Sequence, residues 1–317
     1  MVSRIGSFAQ NQIILNATLN TQARLFESQT QVASGKRSQT FSGIAEDSQR
    51  LLNAKADLAK SEQFMENITI TEQRLDLMLF SVDRLDEIAR EMRSLFQSVR
   101  NGDAVNVIDI PGIASQFRDQ AVDILNAKDN ERFLFAGGNT DTRPVNLANG
   151  TYTAPSPPAF DAGPDVGYYE GDNTLLSARI DNNFVVQYGQ LANADAFEKL
   201  IRSLDNIARM TFASPPTADQ LAVVEAAVTE LNRAIENNGA NPTLQDIASE
   251  IALDQNLISA QRSKHQNVQV FLQNKIADIE NIDTAEAVAK LNFEQVQLEA
   301  SFQVISRAQR LTLNNFL

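Results

Sequence analysis

The stretch Gln22-Ala23-Arg24-Leu25-Phe26-Glu27-Ser28-Gln29-Thr30-Gln31-Val32-Ala33-Ser34-Gly35-Lys36-Arg37 decides how the rest of the chain is read. It is the end of an amphipathic pattern that begins at Phe8. Phe8, Leu15, Leu19 and Phe26 recur at spacings of three to four or seven, and Gln12, Gln22 and Gln29 fill other positions of the same seam. That periodicity predicts a helix whose apolar stripe is diluted with amides. Gly35 is placed to end it, because a residue with no Cβ takes the left-handed conformation of a C-cap without strain.

Outward from this helix the pattern repeats. After Phe41-Ser42-Gly43, a long helix is expected from about Glu46 to Val99, with Leu85, Ile88, Met92, Leu95 and Val99 as its clearest stripe and Asn101-Gly102-Asp103 as its end. Another is expected over Ile113–Ala127, and others over Ala194–Met210 and Ala218–Glu236, closed by Asn237-Asn238-Gly239. A final helical region follows Pro242 with Thr243 as N-cap. Its last amphipathic stretch carries Leu291, Leu298, Phe302 and Ile305 and ends at Asn315-Phe316-Leu317.

Between the helical ends the composition changes. None of the nine prolines lies in 1–110 or 243–317, and all four tyrosines fall in 150–190. Interior proline breaks helices, while aromatic and β-branched residues suit strands. Strands are therefore expected at Phe133–Ala136, Thr151–Thr153, Leu175–Ile180 and Phe184–Tyr188, with Asp181-Asn182-Asn183 as a hairpin turn. The expected fold is mainly α with a β-containing central insertion. It is elongated, with long terminal helices pairing as a coiled coil, a helical-bundle domain and a small β-rich outer domain. The boundaries are 1–40 for an N-terminal axial helix, 41–132 and 193–285 for the two parts of the helical domain, 133–192 for the insertion, and 286–317 for a C-terminal axial helix.

Composition narrows the chemistry. The 317 residues contain no cysteine, no tryptophan and one histidine, His265, with a formal charge of −13. Disulfides, thiolate metal sites and a cysteine nucleophile are excluded, and multi-histidine metal sites with them. The acidic balance disfavours nucleic acid, whose phosphates call for a basic face. Charge is also segregated. Residues 1–60 carry seven basic and four acidic groups, and residues 140–240 carry six and thirteen. No apolar run reaches the length of a membrane span, and Met1–Phe8 lacks the apolar region of a secretory signal. A cytoplasmic protein is expected on those rules, unless it leaves by a route that needs no cleaved signal.

The motif tests are negative. Ser34-Gly35-Lys36 lacks the upstream glycine and following Ser or Thr of a P-loop, and Gly137-Gly138 lacks the downstream glycine of a dinucleotide turn. His265, within Ser263–Asn267, reads as a solvated or inter-helix hydrogen-bonding residue rather than a base. Tyr168–Asn173 reads as a strand-turn with solvated acids, because the spacing of a calcium loop is missing. No catalytic residue, cofactor or metal is assigned. The strongest signal is the pair of amphipathic ends, whose stripes need another surface. Phe8, Leu15, Leu19, Phe26, Leu298, Phe302, Ile305 and Phe316 are its candidate assembly residues.

Along both ends the chain resembles the flagellin family of bacterial axial proteins, closest to its hook-associated protein 3 branch. The resemblance is carried by Gln31–Arg37, by Phe41–Ser48, by the strand-turn Glu131–Pro144 and by Ala308–Leu317. Phe41–Ser48 departs from the family's usual form at Gly43 and Ile44. The resemblance implies a structural, non-enzymatic subunit at the hook–filament junction, outside the cell. It implies a helical lattice of copies of the chain, in contact with neighbouring axial proteins (hook-associated protein 1 and flagellin). It implies export, aided by a flagellar chaperone, through the type III apparatus without a cleaved signal, with no nucleic acid bound and no membrane insertion. A filament subunit, a secreted hydrolase using Glu170 and Asp172, and a cytoplasmic coiled-coil adaptor are the competing readings.

Overall fold

The computed structural model describes residues 2–101, 109–156, 160, 163–236 and 241–314, the first ten and last seven of them as backbone only. Among these, α1 (Val2–Ser34), α2 (Ser48–Arg100) and α3 (Ile110–Leu125) precede β1 (Lys128–Asp129), β2 (Arg132–Phe133), β3 (Leu176–Asp181) and β4 (Phe184–Tyr188). Then follow α4 (Asp195–Ala208), α5 (Ala218–Ile235), α6 (Leu244–Glu280) and α7 (Thr284–Asn314). The fold is mainly helical with two small antiparallel sheets, β1–β2 and β3–β4. The chain forms two compact units, Glu62–Gln266, and Met1–Ser61 with Asn267–Leu317.

Local chemistry accounts for the boundaries. Gly35 ends α1 at φ 69°, its N–H donating to the Gln31 carbonyl at 2.8 Å. α3 begins three residues before its expected start because the Asp109 carboxylate accepts from Gly112 N at 3.1 Å and Pro111 sits in the first turn, where its missing N–H costs nothing. Thr217 and Gln220 form a capping box at α5. At α6, Asp246 N donates to the Thr243 hydroxyl at 3.2 Å, and Thr243 N returns a bond to the Asp246 carboxylate at 2.9 Å. The expected turns at Gly102-Asp103 and Asn237–Gly239, and the end at Asn315–Leu317, lie outside the described residues.

In Glu62–Gln266 the core gathers one face of α2 (Leu75, Met78, Val82, Leu85, Ile88, Met92) with α3, α5 and the start of α6 around α4. Leu95 is half-buried, and Phe96 takes the deeper place beside it. α4 is buried from Ala196 to Ile207. It brings Glu198, Lys199, Arg202 and Asp205 inside, and they are paired. Asp205 is fully buried and accepts from Arg118 at 2.8 Å, Tyr152 Oη at 2.9 Å and Arg209 at 3.0 Å. Arg202 lies between Glu198 at 2.9 Å and Glu230 at 3.2 Å. Burial pushes the Glu198 carboxyl up, against the Asp165 N–H and the Arg202 charge that pull it down.

The β expectations are partly corrected. β3 and β4 form the expected hairpin, turning at Asn182-Asn183. The run Phe133–Ala136 is buried, but only Arg132 and Phe133 pair in a sheet, with Asp129 and Lys128. Their two-residue turn holds Asn130 and Glu131 at φ 47° and 66°, the twist a tight hairpin requires. Beyond it the chain bends at Gly137 (φ 71°), where a Cβ would stand 2.4 Å from the Asp172 carbonyl oxygen. Thr151–Thr153 is a turn rather than a strand. Its Tyr152 hydroxyl satisfies Asp205, so the aromatic residue serves a buried polar network.

Candidate functional site

The candidate assembly residues that the structure describes lie in Met1–Ser61 with Asn267–Leu317. There α1 and α7 run side by side. The Ser28 hydroxyl donates to the Glu294 carboxylate at 2.6 Å and Arg24 to Gln297 at 3.4 Å, while Lys36 bridges Asn281 in an antiparallel pair. Contacts that rise along α1 thus fall along α7, and the helices are antiparallel. The α1 side of the seam is Ile14, Thr18, Thr21, Leu25, Ser28 and Val32, alternately four and three residues apart. The α7 side is Ala287, Leu291, Glu294, Leu298, Ser301 and Ile305, with the same alternation. Both are unbroken heptad seams.

Five of these twelve seam residues are polar. Thr18, Thr21, Ser28 and Glu294 are all buried. The threonine hydroxyls bond back to the carbonyls of Ile14 and Ala17, each at 2.9 Å. Sequence reading passed over these residues because apolar periodicity cannot register a seam whose knobs are hydroxyls. The signal was available in the spacing of Thr18, Thr21, Leu25 and Ser28.

The stripe read from sequence is a different one. Gln12, Leu15, Leu19, Gln22, Phe26 and Gln29 are exposed, with Leu15 at 50%, Leu19 at 52% and Phe26 at 73%. From Leu15 on, each stands one residue after a seam position, which is about 100° around the helix. α1 therefore presents two heptad faces, one against α7 and one to solvent. On α7, Leu298 and Ile305 are half-buried on the α1 side, whereas Phe302 is exposed. Phe293, Val296 and Val304 are further exposed apolar residues of α7 that sequence reading did not single out. The Phe8 side chain and all of Phe316 lie outside the described residues.

The turn after α1 is tied to the turn between α6 and α7. Arg37 N donates to the Glu280 carbonyl at 2.7 Å and Ile282 N to the Gly35 carbonyl at 3.1 Å. The Glu280 carboxylate meets Lys55 and, at 3.6 Å, Lys36. The Lys55 hydrogen bond is the main reason its carboxyl lies below the usual range. A pocket of about 180 Å³ sits here, floored by Leu51 and Ile44.

The residues weighed for other chemistry have structural partners within Glu62–Gln266. Asp172 accepts from Gly138 N at 2.7 Å and Thr174 N at 2.9 Å, and Glu170 accepts from Asn146 at 2.7 Å. These acids pin the loop that was expected to leave them solvated. His265 is buried, with Nε2 2.8 Å from the Ile180 carbonyl of β3 and its ring against Phe64. Lys264 beside it pairs with Asp181 and holds that carboxyl below its ordinary value. No helix among the described residues is long and apolar enough to cross a membrane.

Residues 234–317 match the family model of the bacterial flagellin C-terminal helical region, the part of the chain that contains α6 and α7. The fold is similar to that of a flagellar hook-associated protein from Vibrio parahaemolyticus, with a TM-score of 0.58 at 19% identity over 75% of this chain and 100% of that one. FlgL from Xanthomonas campestris aligns at 0.44 and 14% identity, over 70% of this chain and 99% of that one. Flagellar hook-associated protein-3 from Legionella pneumophila aligns at 0.35 and 12% identity, over 81% and 98%. No curated protein matches the sequence at a significant level.

Proposed function

We propose that this chain is a structural subunit of the bacterial flagellum that joins hook to filament by helical homomeric assembly. The observation that carries this reading is the match of residues 234–317 to the flagellin C-terminal helical region. It gains weight from the pairing of α7, within that region, with α1, whose second heptad face exposes Leu15, Leu19 and Phe26. Such a face gains free energy only when another helix covers it, and copies of the same chain supply one. In this reading Leu15, Leu19, Phe26 and Phe302 meet neighbouring subunits, together with Phe8 and Phe316. Leu298 and Ile305 support the α1–α7 pair that presents them. Residues 1–40 and 286–317 act as axial helices, 41–132 and 193–285 as the helical domain, and 133–192 as the insertion. The role is mechanical and non-enzymatic.

The partners follow from the role: copies of the chain, hook-associated protein 1 on the hook side, and flagellin on the filament side. The site of action is extracellular, reached by chaperone-aided flagellar type III export. Likeness of fold to a hook-associated protein, over the whole of that solved chain, supports the junction role. The flagellin family match also suits a filament subunit. Electron microscopy of a strain deleted for the chain separates the two. Intact hooks without filaments, with flagellin shed into the medium, is the expected result. Filaments lost because their bulk subunit is gone, with no flagellin in the medium, would assign the filament role instead.

A further inference from the structure

Within Glu62–Gln266, α2, the β3–β4 hairpin and the segment from β2 to Thr140 line an open pocket of about 360 Å³. Three guanidinium groups line it, Arg74, Arg132 and Arg179. Arg179 is committed to the carbonyls of Asp181 and Asn182 at the hairpin turn. Arg74 is different. It is 6% exposed, its Nε has no acceptor, and its Nη2 reaches the Phe133 carbonyl only at 3.5 Å. Among the described residues no carboxylate lies within ion-pair distance of Arg74 or Arg132. The facing acid, Asp129, stands opposite Arg132 in the β1–β2 register and is engaged by Gln73 at 3.1 Å and Asn130 at 3.2 Å.

A buried guanidinium cannot shed its proton to escape desolvation, so an unpaired one carries a cost that an anion offsets. Thr71 and Tyr188 line the same wall, but the Thr71 hydroxyl donates to the Asn67 carbonyl at 2.8 Å, which leaves the Arg74 and Arg132 guanidiniums as the groups that draw an anion. Ile70, Leu176 and Ala178 add an apolar side. That mixture, in a space far larger than a bare ion, fits an acid attached to a short carbon chain. We propose that the pocket is a binding site for a carboxylate, held by Arg74 and Arg132 with its carbon chain against Leu176 and Ile70. The carboxylate is either a free small organic acid or an Asp or Glu side chain of another copy of this acidic chain.

The test uses the full chain and glutarate as probe, with sodium chloride at matched ionic strength as control. Glutarate is expected to bind at one site by calorimetry and to raise Tm beyond chloride. Arg132→Gln, at an exposed position, should leave Tm in chloride unchanged and weaken glutarate about tenfold, the effect of one lost charge-assisted contact. Arg74→Met should fold with an equal or higher Tm in chloride and lose the glutarate response. Glutarate acting no differently from chloride, or acting equally on wild type and Arg132→Gln, would overturn the proposal. Light scattering then locates the source. Self-association reversed by glutarate in wild type but not in Arg132→Gln assigns the site to a neighbouring copy. Self-association that ignores bound glutarate assigns it to a free acid.

Discussion

The two faces of α1 allow assembly and folding to be perturbed separately. Replacing Leu15, Leu19 and Phe26 together by Gln removes the apolar part of the solvent face and leaves the α7 face intact. Glutamine is close to leucine in helix propensity, so α1 itself is little affected. Full burial is worth about 1.5–3 kcal/mol for each such side chain. Phe26 retains about three quarters of its exposure and the two leucines about half, so covering them in an assembly gains about 3–4 kcal/mol per subunit. At about 1.4 kcal/mol per tenfold, the triple variant should need some two to three orders of magnitude more protein to assemble. Its monomer should unfold in urea within about 0.5 kcal/mol of wild type, as exposed positions do. Leu25→Ala is the mirror control. It lies half-buried on the α7 side and should cost the monomer about 1–2 kcal/mol, below the range for a fully buried leucine. Sedimentation and electron microscopy report assembly, and urea melts report the monomer. If the triple variant assembled at wild-type concentration, or if its monomer lost several kcal/mol, the separation of the faces would be wrong.

Converting the exposed amides Gln12, Gln22 and Gln29 to Leu should tighten the same face and, if these amides let neighbours slide, reduce motility while filaments stay attached; unchanged motility and filament retention would count against that role. Removing residues 1–40 and 286–317 should leave a folded, soluble monomer that no longer assembles, and a chain unfolded by circular dichroism would show the ends to be core. Asp205→Asn strips the charge that balances Arg118 and Arg209 and should cost about 3 kcal/mol by urea titration, the low end for breaking a buried pair because Arg209 reaches solvent. Glu280 supplies the pH test: its folded pKa is depressed, so its stabilisation is present above the unfolded carboxylate value and is lost as pH falls through the folded one. Lys55→Met should raise the Glu280 midpoint in a carboxyl NMR titration while changing stability at neutral pH by less than about 1 kcal/mol, since the pair is exposed at Lys55.

What could be read from the sequence follows from where the physics is local. Helix ends written in caps, at Gly35 and Thr243, fall where sequence placed them, because a cap is a bond between neighbours. The β3–β4 hairpin was legible for the same reason. Phe133–Ala136 was misread because a short apolar run signals burial without saying what satisfies its backbone. Here Ala192 N donates to the Phe135 carbonyl, and Asp172 N to that of Ala136, so the run is buried without a ladder. The solvated reading of Glu170 and Asp172 failed because their partners lie far off in sequence, at Asn146 and Gly138; of the two readings of His265, solvated or hydrogen-bonded between elements, the buried bond to Ile180 of β3 selects the second in kind, with a strand in place of a helix. α4 was harder still. Its charged residues are compatible with a surface helix, and only the arrival of Arg118, Glu230 and Tyr152 makes their burial affordable.

The most consequential unread feature is the polar seam between α1 and α7, and it bears on why the solvent face matters. A heptad seam built from Thr18, Thr21, Ser28, Glu294 and Ser301 gains less from burial than one of leucines. What it gains is register. The bond between Ser28 and Glu294 at 2.6 Å is satisfied at this alignment of the two helices, and a slip of three or four residues, half a heptad, would bury the carboxylate against Leu25 or Val32, leaving it without that hydroxyl. Polar groups at such positions fix alignment at the expense of stability. The α1–α7 pair is thus specified more strongly than it is stabilised. The apolar residues that could stabilise it further, Leu15, Leu19 and Phe26, stand on the other face, where the partner α7 does not cover them. On the proposed assembly, neighbouring copies cover that face, so the same contacts that join subunits also hold α1 in the helical state its own seam aligns. Folding of the ends and growth of the lattice then become one equilibrium, which is how an axial subunit can travel as a monomer and be rigid once in place.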